Sequence, residues 1–326
     1  MVDVLVLGET AGDGLDSVTG ELLGAARELG GEVGVALIGA SPSGAGAQAI
    51  AMGADRVYLV TDPLLDGVPA DAVVAAFEHL CRQESPSVVL VGVTPAGRDV
   101  GPRVAFRLGV GAAQDCIAVA RDEDTDRIVA RRPVYGGNAV ATVTFAEAEP
   151  QVVMLRAAAY EALEADPDRT GETVEVRPGL VPGVIRTRHV ETVMAETEGP
   201  RLEDASVVVS GGRGLGGPEP FEQLRELAAV LGGAVGASRA ACDAGWIDHG
   251  YQVGLTGKTV TPDLYIAIGV SGASQHMAGC SGARRIVSIN RDPEANIFKE
   301  SAYGVVGDWK AVLTSFIEAV RELTGD

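Results

Sequence analysis

Short apolar runs, each closed by glycine or a small polar residue, alternate with helical patterns at both ends of this chain, and that alternation restricts the fold. Residues 3–8 form a run of the buried-strand type. Residues 19–29 carry apolar side chains at helical spacing and stop at Gly30-Gly31. Residues 32–39, 56–60 and 87–92 read as further strands, and 70–82 and 97–108 as helices. A strand followed by a helix and a second strand of the same direction gives a parallel sheet covered by helices. Beyond about residue 113 the helices lapse. Residues 116–120, 128–133, 139–145 and 152–157 read as strands with turns between them, expected to extend or flank the first sheet in antiparallel fashion. Residues 161–203, rich in charge, Pro and Thr, read as a linker with one extended strand near 181–193.

A second α/β unit follows. Strands are expected at 206–210, at a second run that ends at Ser238-Arg239, and at 263–269, 285–290 and 304–307, with helices at 220–231 and 309–323. Every strand runs into a polar or glycine-rich turn at its carboxyl end, the edge where open α/β sheets bind ligands. The expected division is an N-terminal domain over 1–200 and a C-terminal, Rossmann-like domain over 204–326.

Composition removes several functions. A chain of 326 residues with 46% hydrophobic side chains has room for two cores. A net charge of −19 opposes binding to nucleic acid phosphates; it suits solubility, or steering toward a basic protein. Cys81, Cys116, Cys242 and Cys280 are too scattered for a zinc or iron–sulfur site, and four histidines lack metal spacing. No Ser/His/Asp set occurs in a nucleophile motif. The expectation is a cytoplasmic protein with reduced thiols, without a signal peptide or membrane span.

Two glycine motifs compete for attention. Val253-Gly-Leu-Thr-Gly-Lys-Thr259 ends like a P-loop, but Gln252 stands where that loop needs its first glycine. Gly212-Arg-Gly-Leu-Gly-Gly217 matches GxGxxG between a strand and a helix, the context of a dinucleotide site. An NAD site places an acidic residue at the end of the next strand; here that place holds Ser238 and Arg239. This disfavours NAD and leaves open NADP, whose 2′-phosphate an arginine can meet, or a glycine turn without ligand. The other strand ends are also loaded. Arg213 and Arg239 are cations on neighbouring loops. Gly269 opens a turn of small residues, Ser271, Gly272, Ala273 and Ser274, that leads to Gln275 and His276. Asn290 and Asp308 follow the last two strands. Together these residues describe one large dinucleotide cleft.

The stretch from Tyr251 to His276, the run Ile289-Asn-Arg-Asp-Pro-Glu-Ala-Asn-Ile-Phe298 and Tyr303-Gly-Val-Val-Gly-Asp308 resemble the electron transfer flavoprotein alpha subunit family. Residues 96–105 and 132–138 agree more loosely, so the resemblance covers nearly the whole chain. It implies FAD, a smaller beta subunit as heterodimer partner, and relay of electrons from dehydrogenases, such as the acyl-CoA dehydrogenases of fatty acid beta-oxidation, to an acceptor. By position it implies that Arg213 and the 271–275 turn hold the pyrophosphate, with Ser238 and Arg239 near the isoalloxazine. Gln252, Val253, Gly254, Leu255 and Thr256 would line the ring, the Thr256 hydroxyl near N5 and His276 near the C2 carbonyl. Asn290 and Asp308 would hold the adenosine, with Trp309 at the periphery. Leu255 departs from the glutamine common in the family, which removes a polar group beside the ring.

In that reading the cofactor carries the electrons and the protein sets its potential. Arg239, and His276 if protonated or donating, would stabilise negative charge near N1 and the C2 carbonyl. Lys258 reads as a surface or phosphate-adjacent cation. The linker would let the C-terminal domain swing, and the N-terminal domain would grip the beta subunit. The chain is expected to be an electron carrier without a substrate of its own. The alternatives are an NADP- or flavin-dependent oxidoreductase, a module with a purely structural nucleotide, or the alpha subunit of a bifurcating complex with a second flavin.

Overall fold

Val4–Gly8 is buried on both faces, as a strand inside a parallel sheet must be. In the computed structural model, which describes residues 2–40, 42–135, 139–146, 149–191 and 200–324, this strand is central to the first of two compact units, Met1–Thr192 and Val193–Asp326. The first unit carries a seven-stranded parallel sheet. Its strands run in the order Glu172–Val176, Arg56–Val60, Val33–Ile38, Val4–Gly8, Val88–Gly92, Gln151–Leu155 and Ala112–Cys116. The helices Ser17–Leu29, Ala70–Glu84 and Pro95–Leu108 follow from their apolar faces and their ends. Asp16 caps the first at Val18 N, Thr94 caps the third at Gly97 N, and Gly30 ends the first in a conformation outside the helical region.

Four expectations about this half need correction. The strand expected at 116–120 is two strands, Ala112–Cys116 and Ala118–Arg121, which part into different sheets. The second belongs to a separate antiparallel sheet with Ile128–Val134 and Ala139–Thr144. Gln151–Leu155 is not an antiparallel flank; it lies inside the main sheet, parallel to Val88–Gly92, and all five of its residues are buried. The stretch read as linker is in large part structure of the first unit. Glu172–Val176 is that sheet's edge strand, Leu180 N donates to Asp62 Oδ2 at 3.0 Å, and Arg186 N donates to Asp71 Oδ2 at 3.0 Å. Arg103 pairs with the same Asp71 carboxylate and, as its strongest contact, holds its pKa below the usual range. The extended strand expected near 181–193 is absent up to residue 191, where Pro182–Val184 forms a 3-10 turn; its last two residues lie outside the described residues, as do 136–138.

The second unit is a six-stranded parallel sheet. The order is Gln252–Val253, Ala234–Ser238, Val207–Gly211, Leu264–Ile268, Ile286–Asn290 and Tyr303–Val306. The chain builds outward from Val207–Gly211 on one side, then crosses back to build the other side from Leu264–Ile268. A crevice opens where the two directions part, at the carboxyl ends of these central strands. The helices Pro220–Val230 and Trp309–Thr324 pack on one face through Phe221, Leu224, Leu313 and Ile317. The other face buries Tyr265, Val208 and Ile286 against Met277 and Cys280 of the short helix Ser274–Cys280.

Candidate functional site

At the switch point two glycine turns cross. Gly212 N donates to the Ile268 carbonyl and Gly214 N to the Gly269 carbonyl, each at 2.9 Å. A Cβ on Gly212 would drive into the Gly269 backbone. The first glycine of the GxGxxG run therefore serves approach of chain to chain, a demand that can be traced only once the strand order is known. On the far side of the cleft, Gly272 adopts φ +76°, and a Cβ there would strike the Ile297 backbone. Beside these close approaches lies a cavity of about 800 Å³, within the range of small-molecule sites.

The cavity gathers most of the expected residues. Arg213, Ser238, Arg239, Gln252, Val253, Gly254, Leu255, Thr256, Gly269, Ser271, Ala273, Gln275, His276 and Asn290 all line it. Gly272 supports the turn from behind, and Ser274, exposed, turns its hydroxyl toward Gln275 Oε1 at 3.3 Å; neither is on the lining. Asp308 and Trp309 line an adjoining hollow of about 240 Å³ that shares Gly214, Gly269, Asn290 and Arg291 with the main cavity. Asp308 also accepts from Lys310 N at 3.1 Å. Sequence reasoning missed Ala240 and Asp243 on the main wall; Gly214, Val270, Arg291, Asp292 and Ala295 stood within its motifs without being assigned to the site. Asp243 was within reach of it, four residues after Arg239 on a helical turn.

Local bonding fixes what each wall residue can do. Arg239 opens the short helix Arg239–Asp243 and donates from Nε to Asp243 Oδ2 at 3.2 Å, so its charge enters the cleft partly offset. Gln252 donates from Nε2 to Thr256 Oγ1 at 3.0 Å, which leaves the Thr256 proton free to be donated. Asn290 spans two turns: Nδ2 donates to the Val270 carbonyl at 2.8 Å, and Oδ1 accepts from Asp292 N at 3.0 Å. Leu255, 52% exposed, is anchored by its backbone, with N donating to the Gln275 carbonyl at 2.7 Å. The apparent P-loop ending is also explained. Gly257 N donates to the Gly254 carbonyl at 3.0 Å and Lys258 N to the Gln252 carbonyl at 2.7 Å, so neither N–H faces a phosphate. Lys258 Nζ is tied to Glu203 Oε2 at 2.9 Å. Its reading as a phosphate-adjacent cation is replaced by an ion pair that staples this loop.

Two buried polar atoms of the cavity residues have no hydrogen-bond partner: Ser238 Oγ and His276 Nδ1. Native interiors rarely leave such groups unpaired, so they mark a place for a ligand. Burial pushes the His276 imidazole down to about 4, against a smaller opposing effect of the Val253 backbone. At neutral pH the ring is uncharged. Of the two roles expected for His276, this favours a neutral donor over a cation.

The family comparisons speak to the same two units. The profile of the electron transfer flavoprotein domain matches residues 4–179, and that of the electron transfer flavoprotein FAD-binding domain matches residues 201–281. The chain is 44% identical to the electron transfer flavoprotein subunit alpha of Megasphaera elsdenii, over 99% of this chain and 97% of that protein. It is 40% identical to the subunit of the same name from Bacillus subtilis strain 168, over 98% of both. It is 39% identical to Protein FixB of Clostridium saccharobutylicum, over 98% of this chain and 96% of that protein.

The chain belongs to the electron transfer flavoprotein alpha-subunit family. Members of this family are electron carriers, and the fold class expected from the alternation of strands and helices is the fold observed. The matched FAD-binding domain profile overlaps the strands and turns that build most of the cleft, and so points to a flavin cofactor. The described residues contain no helix long and apolar enough to cross a membrane.

Proposed function

We propose that this electron transfer flavoprotein subunit holds FAD in the cleft of its second unit, pairs with a beta subunit, and relays electrons from dehydrogenases to a separate acceptor. The observation that carries the assignment is the pair of unsatisfied polar atoms, Ser238 Oγ and His276 Nδ1, on residues that wall a cavity opening at the switch point. A flavin ring offers acceptors and donors that would satisfy both. The adjoining hollow beside Asp308 and Trp309 supports the dinucleotide over a mononucleotide, because it extends the cleft beyond the reach of a ring and one phosphate.

The residues divide the work by chemistry. Arg213 and the 271–275 turn suit the pyrophosphate. Thr256, with its proton free, suits a ring nitrogen that accepts, and His276 a ring carbonyl. Arg239 places positive charge near the ring, where reduction adds negative charge, and Asp243 tempers it. When bound, the flavin supplies the redox chemistry; the protein supplies orientation, exclusion of water and electrostatics. Acyl-CoA dehydrogenases are the donors we favour.

The first unit is our choice for the surface that grips the beta subunit. Phe106, Tyr135 and Val140 are exposed on it, and exposed apolar side chains of this size suit a partner. The four free, buried cysteines suit a reducing compartment, and we place the protein in the cytoplasm. The deciding experiment is an absorption spectrum of the chain co-expressed with its beta subunit, with the cofactor extracted and counted. One FAD per complex is expected. Two would favour a bifurcating complex, and a colourless protein that binds NADP would overturn the proposal.

A further inference from the structure

Tyr265 is the largest polar side chain buried completely in the second unit, at 0% exposure, and nothing in the cofactor reading uses it. Its hydroxyl lies 2.9 Å from Nε2 of His276, which is itself only 7% exposed. Burial pushes the phenol well above the usual tyrosine range, so the oxygen keeps its proton. The histidine ring is neutral, with one proton to place on Nε2 or on Nδ1.

Hydrogen-bond accounting decides which. Nε2 is the one partner in hydrogen-bond geometry that the Tyr265 hydroxyl has among the described residues. Ser210 Oγ and Cys280 Sγ lie near the same hydroxyl but do not reach it in full hydrogen-bond geometry, and Cys280 Sγ is directed to the His276 carbonyl at 3.6 Å. If Nε2 carried the histidine proton, the buried tyrosine O–H would lack an acceptor and Nδ1 would lack a donor. If Tyr265 donates to Nε2, a single group stays open, the N–H at Nδ1. Each arrangement leaves one buried donor open, but the first leaves an unpaired acceptor as well, so the second, with a single open group, wins.

We propose that Tyr265 is a positioning residue of the cleft: its hydroxyl donates to His276 Nε2 and so fixes the neutral ring with its proton on Nδ1. The fold thereby holds a neutral ring donor whose neighbour in the protein, the Val253 backbone, lies outside full hydrogen-bond geometry, and offers it to an electron-rich carbonyl oxygen of the bound cofactor. Preorganised donors of this kind cost no rearrangement when negative charge arrives. The functional consequence rests on the flavin reading above; the tautomer does not.

Nitrogen NMR of the full-length protein labelled at histidine, in the complex in which it purifies, tests the proposal both with cofactor and after its removal. His276 is expected to show a protonated Nδ1 and an unprotonated Nε2 in both states. In Tyr265→Phe the preference for the Nδ1–H form should fall by about tenfold, the loss expected of one buried hydrogen bond. The midpoint potential of the holoprotein should fall with it. The same change in a His276→Gln background, where no tautomer exists, should leave the potential where His276→Gln alone puts it. An Nε2-protonated ring in the unmutated protein overturns the proposal whether or not Tyr265→Phe folds. So does a tautomer ratio that Tyr265→Phe leaves unchanged. Because the cofactor-free spectrum reports the ring directly, failure to bind flavin would sink the assignment of the cleft and leave the tautomer result standing.

Discussion

The two units solve one geometric problem in opposite ways. Each has a parallel sheet built outward from a central strand, and each has a switch point beside it: Val4–Gly8 against Val88–Gly92 in the first, Val207–Gly211 against Leu264–Ile268 in the second. In the first unit the polar groups at that point satisfy one another. Thr94 Oγ1 donates to Glu9 Oε1 at 2.6 Å, Glu9 N donates to Thr19 Oγ1 at 2.8 Å, and Thr19 returns its proton to the Glu9 carbonyl at 2.8 Å. Burial, the largest effect on Glu9, raises its pKa, and the Thr94 bond opposes the rise. In the second unit the corresponding edge keeps a cavity and leaves Ser238 Oγ and His276 Nδ1 unpaired. A switch point is thus a location and not a site; what makes a site is polar capacity that the protein does not consume itself.

The comparison can be broken most forcefully at the crossing of the glycine turns. Gly212→Val would force the Gly269 loop away. We expect a stability loss of about 3 kcal/mol, as for an overpacked core position, and loss of bound flavin. Denaturant unfolding and cofactor extraction would check this; retention of full flavin content would show that the crossing does not shape the cleft.

A comparable effect is expected from acid. The His276 pKa is lowered from 6.5 to about 4 in the folded protein, so the unfolded chain binds the extra proton first. Its contribution to stability is complete above 6.5, declines as pH falls through that window, and levels off below the folded value. The full loss is about 3 kcal/mol if the entire shift is expressed. Stability measured between pH 7 and pH 4 should lose much of this slope in His276→Gln, and an unaltered slope would remove His276 as its source.

The closed switch point sharpens the contrast. Thr94→Val removes the bond to Glu9 and the cap at Gly97 N together. A loss of about 1–2 kcal/mol is expected, with flavin content and spectrum unchanged. A shifted flavin spectrum would refute the separation of roles between the two edges. The smallest effect belongs to Arg239→Ala. Arg239 is exposed and already paired with Asp243. Its removal should lower the flavin potential by less than the equivalent of about 1 kcal/mol and weaken further with salt. A large or salt-independent shift in a redox titration would mean that the cleft closes over this residue.

Most of the strands were legible in sequence because buried parallel strands are unbroken apolar runs, and Val33–Ile38, Val88–Gly92 and Leu264–Ile268 are such runs. Glu172–Val176 was hidden because it is an edge strand, charged and half exposed, and its composition is that of a linker. Gln252–Val253 was too short to read, although it forms the edge of the second sheet. The cleft residues were legible as strand ends and as family motif positions. Asp243 was not carried into the site, because nothing local distinguishes it from solvated charge, and Arg291 and Asp292 stood in a motif run without a role of their own.

The sequence by itself determined the two α/β units, the family, and the set of loops that meet at the second sheet, since these follow from periodicity, from turn chemistry and from an ordered run of motif residues. The tertiary structure decided which polar groups stay unsatisfied. Glu9 and Thr94 lie 85 residues apart and cancel each other. Tyr265 and His276 lie 11 apart and leave one nitrogen open. Hydrogen-bond satisfaction is a property of pairs brought together by the fold, and no spacing along the chain encodes it.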